Sequence, residues 1–435
     1  MTKIIDRFQS VFLRLISIFS VFYLCFYYRQ GGVKDIGIAN PSLRDIGVYI
    51  DAGKAVLAGL NPYETVGNRF GTLGPLPIAL LSYLVPSEFL TFFFQAINLA
   101  GIYFFLFVFA RHYGKGLVDP IFLTIIFFAS TREMLTTNQI TGILMGLIAI
   151  GYLFYLRFLD GKSRWTLLVS GVCFALAADL KPHLVAFFIL YLCLCNRRIS
   201  PLVSSFAIWV IGHLIIDLAQ GRILEIDWLH SLQDLQIQSS KGILGDSVSF
   251  WPLIYKLLGV SGLPTFVTIL PLILALLFGV KYSLNNDLTK IVPWIFLMPS
   301  LSIYFHFYDG IPAFLMALVV IKGQVNLRVL VFIGFVLIPK EFQSIENQIL
   351  VMAFLFMWAY ISSNNVKIHT VILAYLLINS IHFLNTQITN DPYLMQSLVV
   401  SESLIFCTAS LFRINRSLFP SKGLGSSNGN SRIHK

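Results

Sequence analysis

The chain has 435 residues, 57% of them hydrophobic and 12% charged, about half the charged share of an ordinary soluble domain. Apolar runs recur from Val11 to Phe412, which excludes a conventional soluble enzyme and indicates a polytopic membrane protein. The net charge of +10 does not signal nucleic acid, because Lys and Arg gather in short turns between apolar runs, as the positive-inside rule describes, and no nucleic-acid motif is present.

The apolar runs are continuous and do not alternate every second residue, so they predict helices and not a barrel. Thirty-nine phenylalanines suit lipid-facing helix surfaces. Lys3, Arg7 and Arg14 accompany the first apolar run, Val11–Tyr28, and no small-x-small cleavage site follows. This predicts an uncleaved first span with a cytoplasmic N-terminus. An external loop over about 29–74 comes next. Within it Ser42–Leu60 reads as a surface helix, with Ile46, Tyr49, Gly53, Val56 and Leu60 at helical spacing. Gly59 and Pro62 supply its stop signal. Leu76–Val85 is too short to cross a bilayer comfortably and suits a re-entrant, interfacial or broken piece. Phe89–Ala110 then returns to the cytoplasmic side.

Further apolar stretches over 121–129, 140–156, 165–178, 184–194 and 202–218 precede a second polar loop at about 220–250. Others follow over 266–280, 291–298, 304–321, 329–338, 349–361, 368–383 and 398–412. Together they predict an all-α membrane protein of roughly 11–14 spans. Residues 1–412 read as one integral-membrane domain. The Gly/Ser/Asn-rich end of 413–435 reads as a disordered cytoplasmic tail. The turns Arg157–Arg164, Asn196–Arg198 and Lys322–Arg328 and the tail are basic, which marks one side as cytoplasmic. The opposite side then collects the first loop, Thr131–Gln139, Asp179–His183, the second loop and the region of His306. The five cysteines, Cys25, Cys173, Cys193, Cys195 and Cys407, lie in apolar runs and read as small buried hydrophobes.

The polar stretches hold the candidate chemistry. Asp45 and Tyr49 share a helix face, while Asp51 is rotated away by roughly 120°. Two readings of Asp45 stand side by side. Ser42-x-x-Asp45 has the form of a capping box, and a carboxylate at a membrane surface can also act as a general base. Lys181, next to Pro182 at a helix end, is either a snorkelling lysine or a cation for a phosphate. His306 is either a core histidine among aromatics or a group that binds phosphate or orients an acceptor. Gln139 can bond a sugar or link helices. Arg44 and Arg69 are rim charges or phosphate ligands. His213 and Asp217, four residues apart, read as a local ion pair, and Asp246 is a weaker candidate base.

The pattern Asp45, Tyr49, Ala52, Val56, Leu57, Gly59, Asn61, Pro62, Tyr63 resembles the first external loop of glycosyltransferase family 87. Phe70-Gly-Thr-Leu-Gly-Pro-Leu-Pro77 is a looser form of that family's F-x-Y-P-P-L continuation. Asn138-Gln139 is similar to its Gly-Gln element, with Asn for Gly, and Ala177, Lys181 and Pro182 match its A-x-x-x-K-P element. His306 with Asp309 resembles its late histidine. The resemblance implies a GT-C fold and an inverting transfer of a sugar, mannose by analogy, from a polyprenyl phosphate carrier to an extracytoplasmic glycan or glycolipid. Asp45 would be the general base. Lys181, His306, Tyr49, Gln139 and Arg44 would contact the substrate or the donor phosphate. No Asp-x-Asp occurs, and a lipid monophosphate carries less charge than a pyrophosphate, so no metal or other cofactor is expected. A transporter or flippase of a lipid-linked sugar, and a structural subunit of an envelope-assembly complex, are the competing functions. A transporter would call for internal repeats and mid-membrane ionisable residues.

Overall fold

The computed structural model describes residues 44–65, 71–110, 129–231, 288–301, 306–320 and 368–389, with shorter pieces at 121–122, 272–277 and 279–280 and a few single positions between them. All regular structure among these residues is helical. Helix α1 (Arg44–Leu57) and the short α2 (Pro62–Thr65) precede α3 (Pro75–Leu84) and α4 (Leu90–Ala110). Next come α5 (Ala129–Thr137), α6 (Thr141–Leu159), α7 (Arg164–Leu180), α8 (Pro182–Asn196) and α9 (Ser200–Gln220). Helices α10 (Leu288–Leu297), α11 (Ile311–Val320) and α12 (Ile368–Thr389) complete the set. The first span, Val11–Tyr28, and the C-terminal tail lie outside the described residues.

Three helical stretches are long and apolar enough to cross a membrane by length and composition: Ser87–Ala110, Thr141–Leu159 and Ser200–Gln220. At 1.5 Å per residue α3 is about 15 Å long, roughly half a hydrocarbon layer. Instead of standing alone it packs on α1, where a Cβ at Gly53 would collide with the Pro75 carbonyl and Ala79. The first helix keeps most of the expected course: Ile46, Tyr49, Ile50 and Val56 are buried, Asp51 is exposed, and Gly59 turns the chain with φ 73°, but the helix stops at Leu57 and Leu60, expected on the apolar face, is exposed.

Helix α4 packs on α6, α6 on α7, and α7 on both α8 and α9. The α4–α6 approach depends on glycine. A Cβ on Gly101 would run into the Gly142 carbonyl, and one on Gly142 into the Asn98 carbonyl. Gly142 and Gly146 form a small-xxx-small stripe of the kind that lets membrane helices approach closely. Asn98 adds a bond across the contact, its Oδ1 accepting the Ile143 N–H at 3.1 Å.

Phenylalanine serves the interior as well as the lipid surface. Phe94, Phe105, Phe109, Phe174, Phe188 and Phe296 are fully buried. Phe105, Phe188 and Phe296 meet around one point, with Phe188–Phe296 centroids 5.9 Å apart. Helix α9 differs: Val203, Phe206, Ile211, Leu214, Ile215 and Leu218 are exposed along it, an apolar face suited to lipid. Cys173 and Cys193 are buried thiols, and Cys195 is partly exposed.

Candidate active site

Pro182 shapes the site. A residue before proline is pushed out of the α region, and Lys181 takes φ −146°, ψ 79°, closing α7 and opening α8 at one residue. The break costs little backbone bonding. Lys181 N–H still donates to Ala177 O at 3.0 Å, and Lys181 O accepts from Leu184 at 3.2 Å and Val185 at 3.3 Å. The carbonyl of Asp179 is taken by the Gly71 N–H at 3.1 Å. Asp179 and Lys181, two residues apart, serve separate clusters.

Lys181 is buried, with its Nζ 2.5 Å from Asp309 Oδ1. It also reaches Thr141 Oγ1 at 3.5 Å and lies 4.7 Å from the centre of the Tyr308 ring. An ammonium has three N–H donors, so this one is engaged on three sides. Asp309 sits in a 3-10 turn, Phe307–Gly310, that begins at His306. Its Oδ2 accepts the His306 backbone N–H at 3.3 Å and lies 3.8 Å from His183 Nε2. Burial alone would raise the Asp309 carboxyl. The Lys181 ammonium, with His183 and His306 beside it, outweighs burial and holds it below the usual carboxylate range. The His306 ring stacks on Tyr308 with centroids 4.9 Å apart.

Asp45 reaches the same region from α1. Its carboxylate accepts a hydrogen bond from Gln139 Nε2. Gln139 and Thr141 bracket the α5–α6 junction, so the carboxylate of α1 and the ammonium of the α7–α8 break are tied to one short segment. Asn138 makes the turn there with φ 54°, the left-handed region that glycine and asparagine tolerate best. That accounts for Asn where the resemblance carries Gly. The Asn138 side chain is buried, and neither of its polar atoms, nor Gln139 Oε1, finds a hydrogen-bond partner among the described residues.

Several expectations change in detail. Gln139 bonds the Asp45 carboxylate directly, which spacing could not show. Tyr49 belongs to the main hydrophobic core with Ile46 and Ile50. Ser42, the partner for a capping box, lies outside the described residues, as do Arg69 and Asp246. Arg44 opens α1, and its side chain is outside the described set. His183 was not singled out in the sequence, although it follows the Lys181-Pro182 pair.

His213 and Asp217 do not form the expected pair. His213 Nε2 lies 2.6 Å from Asp179 Oδ1, and its Nδ1 is 2.5 Å from Glu225 Oε1. Asp217 instead accepts the Leu224 N–H at 3.1 Å, across the Gly221 turn that ends α9. Trp209 Nε1 donates to Asp179 Oδ1 at 2.8 Å, and Gly74 N–H to Oδ2 at 2.7 Å. This second cluster fastens the loop 71–74 to α7 and α9. Gly71 is required there, because a Cβ would fall inside the Asp179 carboxylate.

Among the described residues no group of three or more His, Cys, Asp or Glu side chains is arranged to hold a metal ion. The family model described as Glycosyltransferase family 87 matches residues 70–290. Among curated proteins none is similar enough to this chain to count as a match.

Proposed function

The chain belongs to glycosyltransferase family 87, and from that premise we propose that it moves a sugar from a polyprenyl phosphate carrier to an extracytoplasmic glycan or glycolipid, with inversion and with Asp45 as general base. Membership decides for a membrane transferase over a transporter or a structural subunit. The proposal takes mannose as the sugar and a GT-C architecture of one domain over 1–412. The first and second loops are external, and both termini are cytoplasmic.

One observation supports the reading most. Asp45 is held by Gln139 and Lys181 by Thr141, so the base and the cationic cluster meet at the same helix junction. Gln139 is a neutral donor. Its Nε2 donates to the Asp45 carboxylate and so orients it. The Lys181 ammonium is paired with Asp309. In the proposed step Asp45 takes the acceptor hydroxyl proton as that oxygen bonds to the anomeric carbon. The bond to the phosphate oxygen breaks, and its electron pair leaves on the carrier as a monoester. The transition state is oxocarbenium-like, and the growing negative charge on the phosphate needs positive neighbours. Lys181, His306 and the Asp309 turn form that end of the site. No metal is needed, so transfer should persist in excess EDTA.

The test is mass-spectrometric. Membranes carrying the protein are given a panel of polyprenyl phosphate sugars with an endogenous glycolipid fraction. A new hexosylated product with polyprenyl phosphate mannose, absent from membranes lacking the protein, is the expected result. Transfer only from a nucleotide sugar would overturn the donor assignment.

A further inference from the structure

The cation that meets the carrier phosphate need not be the lysine that the motif highlights. Lys181 is buried, its side chain 5% exposed, and its ammonium is engaged by Asp309, Thr141 and the Tyr308 ring. The Lys181–Asp309 pair is neutral as a unit. His183 is placed differently. Its side chain is 34% exposed, yet its Nε2 is buried, faces Asp309 Oδ2 at 3.8 Å and has no hydrogen-bond partner among the described residues. One edge of the imidazole therefore faces a carboxylate that remains ionised, while the side chain as a whole stays accessible.

We propose that His183 is the phosphate-binding cation of the site, its protonated ring oriented by Asp309 and offered to the phosphate of a polyprenyl monophosphate. This rests on the donor class proposed above. Among the described residues Asp309 faces the ring, Lys181 and His306 lie beside that carboxylate, and α5, which packs on the same turn, carries Glu133. Lys181 and Asp309 cancel, and Asp179 is committed to His213, Trp209 and Gly74. A protonated His183 would then add the positive charge that the neutral Lys181–Asp309 pair does not present, with His306 on the facing turn as the other imidazole near Asp309. A carrier diester is a monoanion, and the monoester left after transfer carries up to one more negative charge. A protonated imidazole matches the first and strengthens its hold as the second forms, in either case donating an N–H to a phosphate oxygen. No covalent bond to His183 is formed.

The experiment measures binding of the methyl diester of polyprenyl phosphate, a monoanion at every pH used, to the purified full-length protein in detergent, by tryptophan fluorescence, from pH 5.5 to 8.5. Wild type should bind about tenfold tighter at the acidic end, as expected for one added charge–charge contact. His183→Gln keeps a polar side chain but cannot ionise, so the gain in affinity at the acidic end should be lost. His306→Gln should retain the slope. If His183→Gln keeps the wild-type slope, or His306→Gln alone loses it, the assignment to His183 is overturned while the donor class stands. If wild type binds the carrier at no pH, the donor class fails and the assignment falls with it. A merely structural His183 would lower affinity equally at every pH, which also overturns the proposal.

Discussion

The two sides of the α7–α8 break begin two residues apart and end in opposite conditions. On the Asp179 side both carboxylate oxygens and the backbone carbonyl of Asp179 are engaged. One carboxylate oxygen meets Trp209 and His213, the other meets Gly74, and the backbone carbonyl meets Gly71. On the Lys181 side the ion pair is complete, but capacity is left over around it. His183 Nε2, Gln139 Oε1 and the whole Asn138 carboxamide lack hydrogen-bond partners among the described residues. Buried polar groups left this way cost about 1–3 kcal/mol each. A fold carries such a cost most readily where a ligand supplies the missing partners. The Asp179 cluster has the form of a clamp, and the Lys181 cluster that of the candidate site, although both are built from charged side chains in an apolar protein.

The comparison can be broken first at its strongest bond. Lys181→Ala strands the buried Asp309 carboxylate and should cost about 3–5 kcal/mol of stability, read as a fall in Tm in detergent. The double variant Lys181→Met/Asp309→Leu should recover most of it, because the pair is removed as a unit. No recovery would mean that Asp309 has stronger partners than Lys181. On the clamp side, Asp179→Asn should cost about 1–3 kcal/mol, while carrier binding keeps its pH slope. Loss of the slope in that variant would merge the two regions into one.

Acid sharpens the contrast. The Asp309 carboxyl is held below its ordinary range, so its pairing contributes fully above the unfolded value near ~3.9. That contribution is lost only as pH falls below this toward the folded value. The Tm contribution of the pair should therefore be flat between pH 5 and 8. A decline across that window in wild type, absent from the Lys181→Met/Asp309→Leu variant, would contradict the assignment. The smallest effect is expected at the junction turn. Asn138→Gly satisfies φ 54° and removes the unpartnered carboxamide, so it should not destabilise the protein. Asn138→Val, β-branched in a left-handed position, should destabilise clearly more.

Local signals carried much of this into the sequence. The course of α1, the turn at Gly59 and the break at Lys181-Pro182 follow from periodicity, glycine and proline. These act within a turn of helix and need no tertiary knowledge. The Gly142-x-x-x-Gly146 stripe is an equally local signal. What spacing could not supply was the choice among distant partners. His213 and Asp217 share a helix face, yet packing of α9 on α7 gives His213 to Asp179, and the Gly221 turn gives Asp217 to Leu224. Gln139 could have met a sugar as readily as a carboxylate until α1 was seen against the α5–α6 junction. The role of His183 depends on Asp309, more than a hundred residues away in the chain.

The most direct test of the account is single-turnover transfer by purified Asp45→Asn, run beside carrier-phosphate binding by the same preparation. The account predicts that binding persists while the transfer rate falls by about 10²–10⁴-fold, the range for losing a general base. Wild-type turnover in that variant would contradict it.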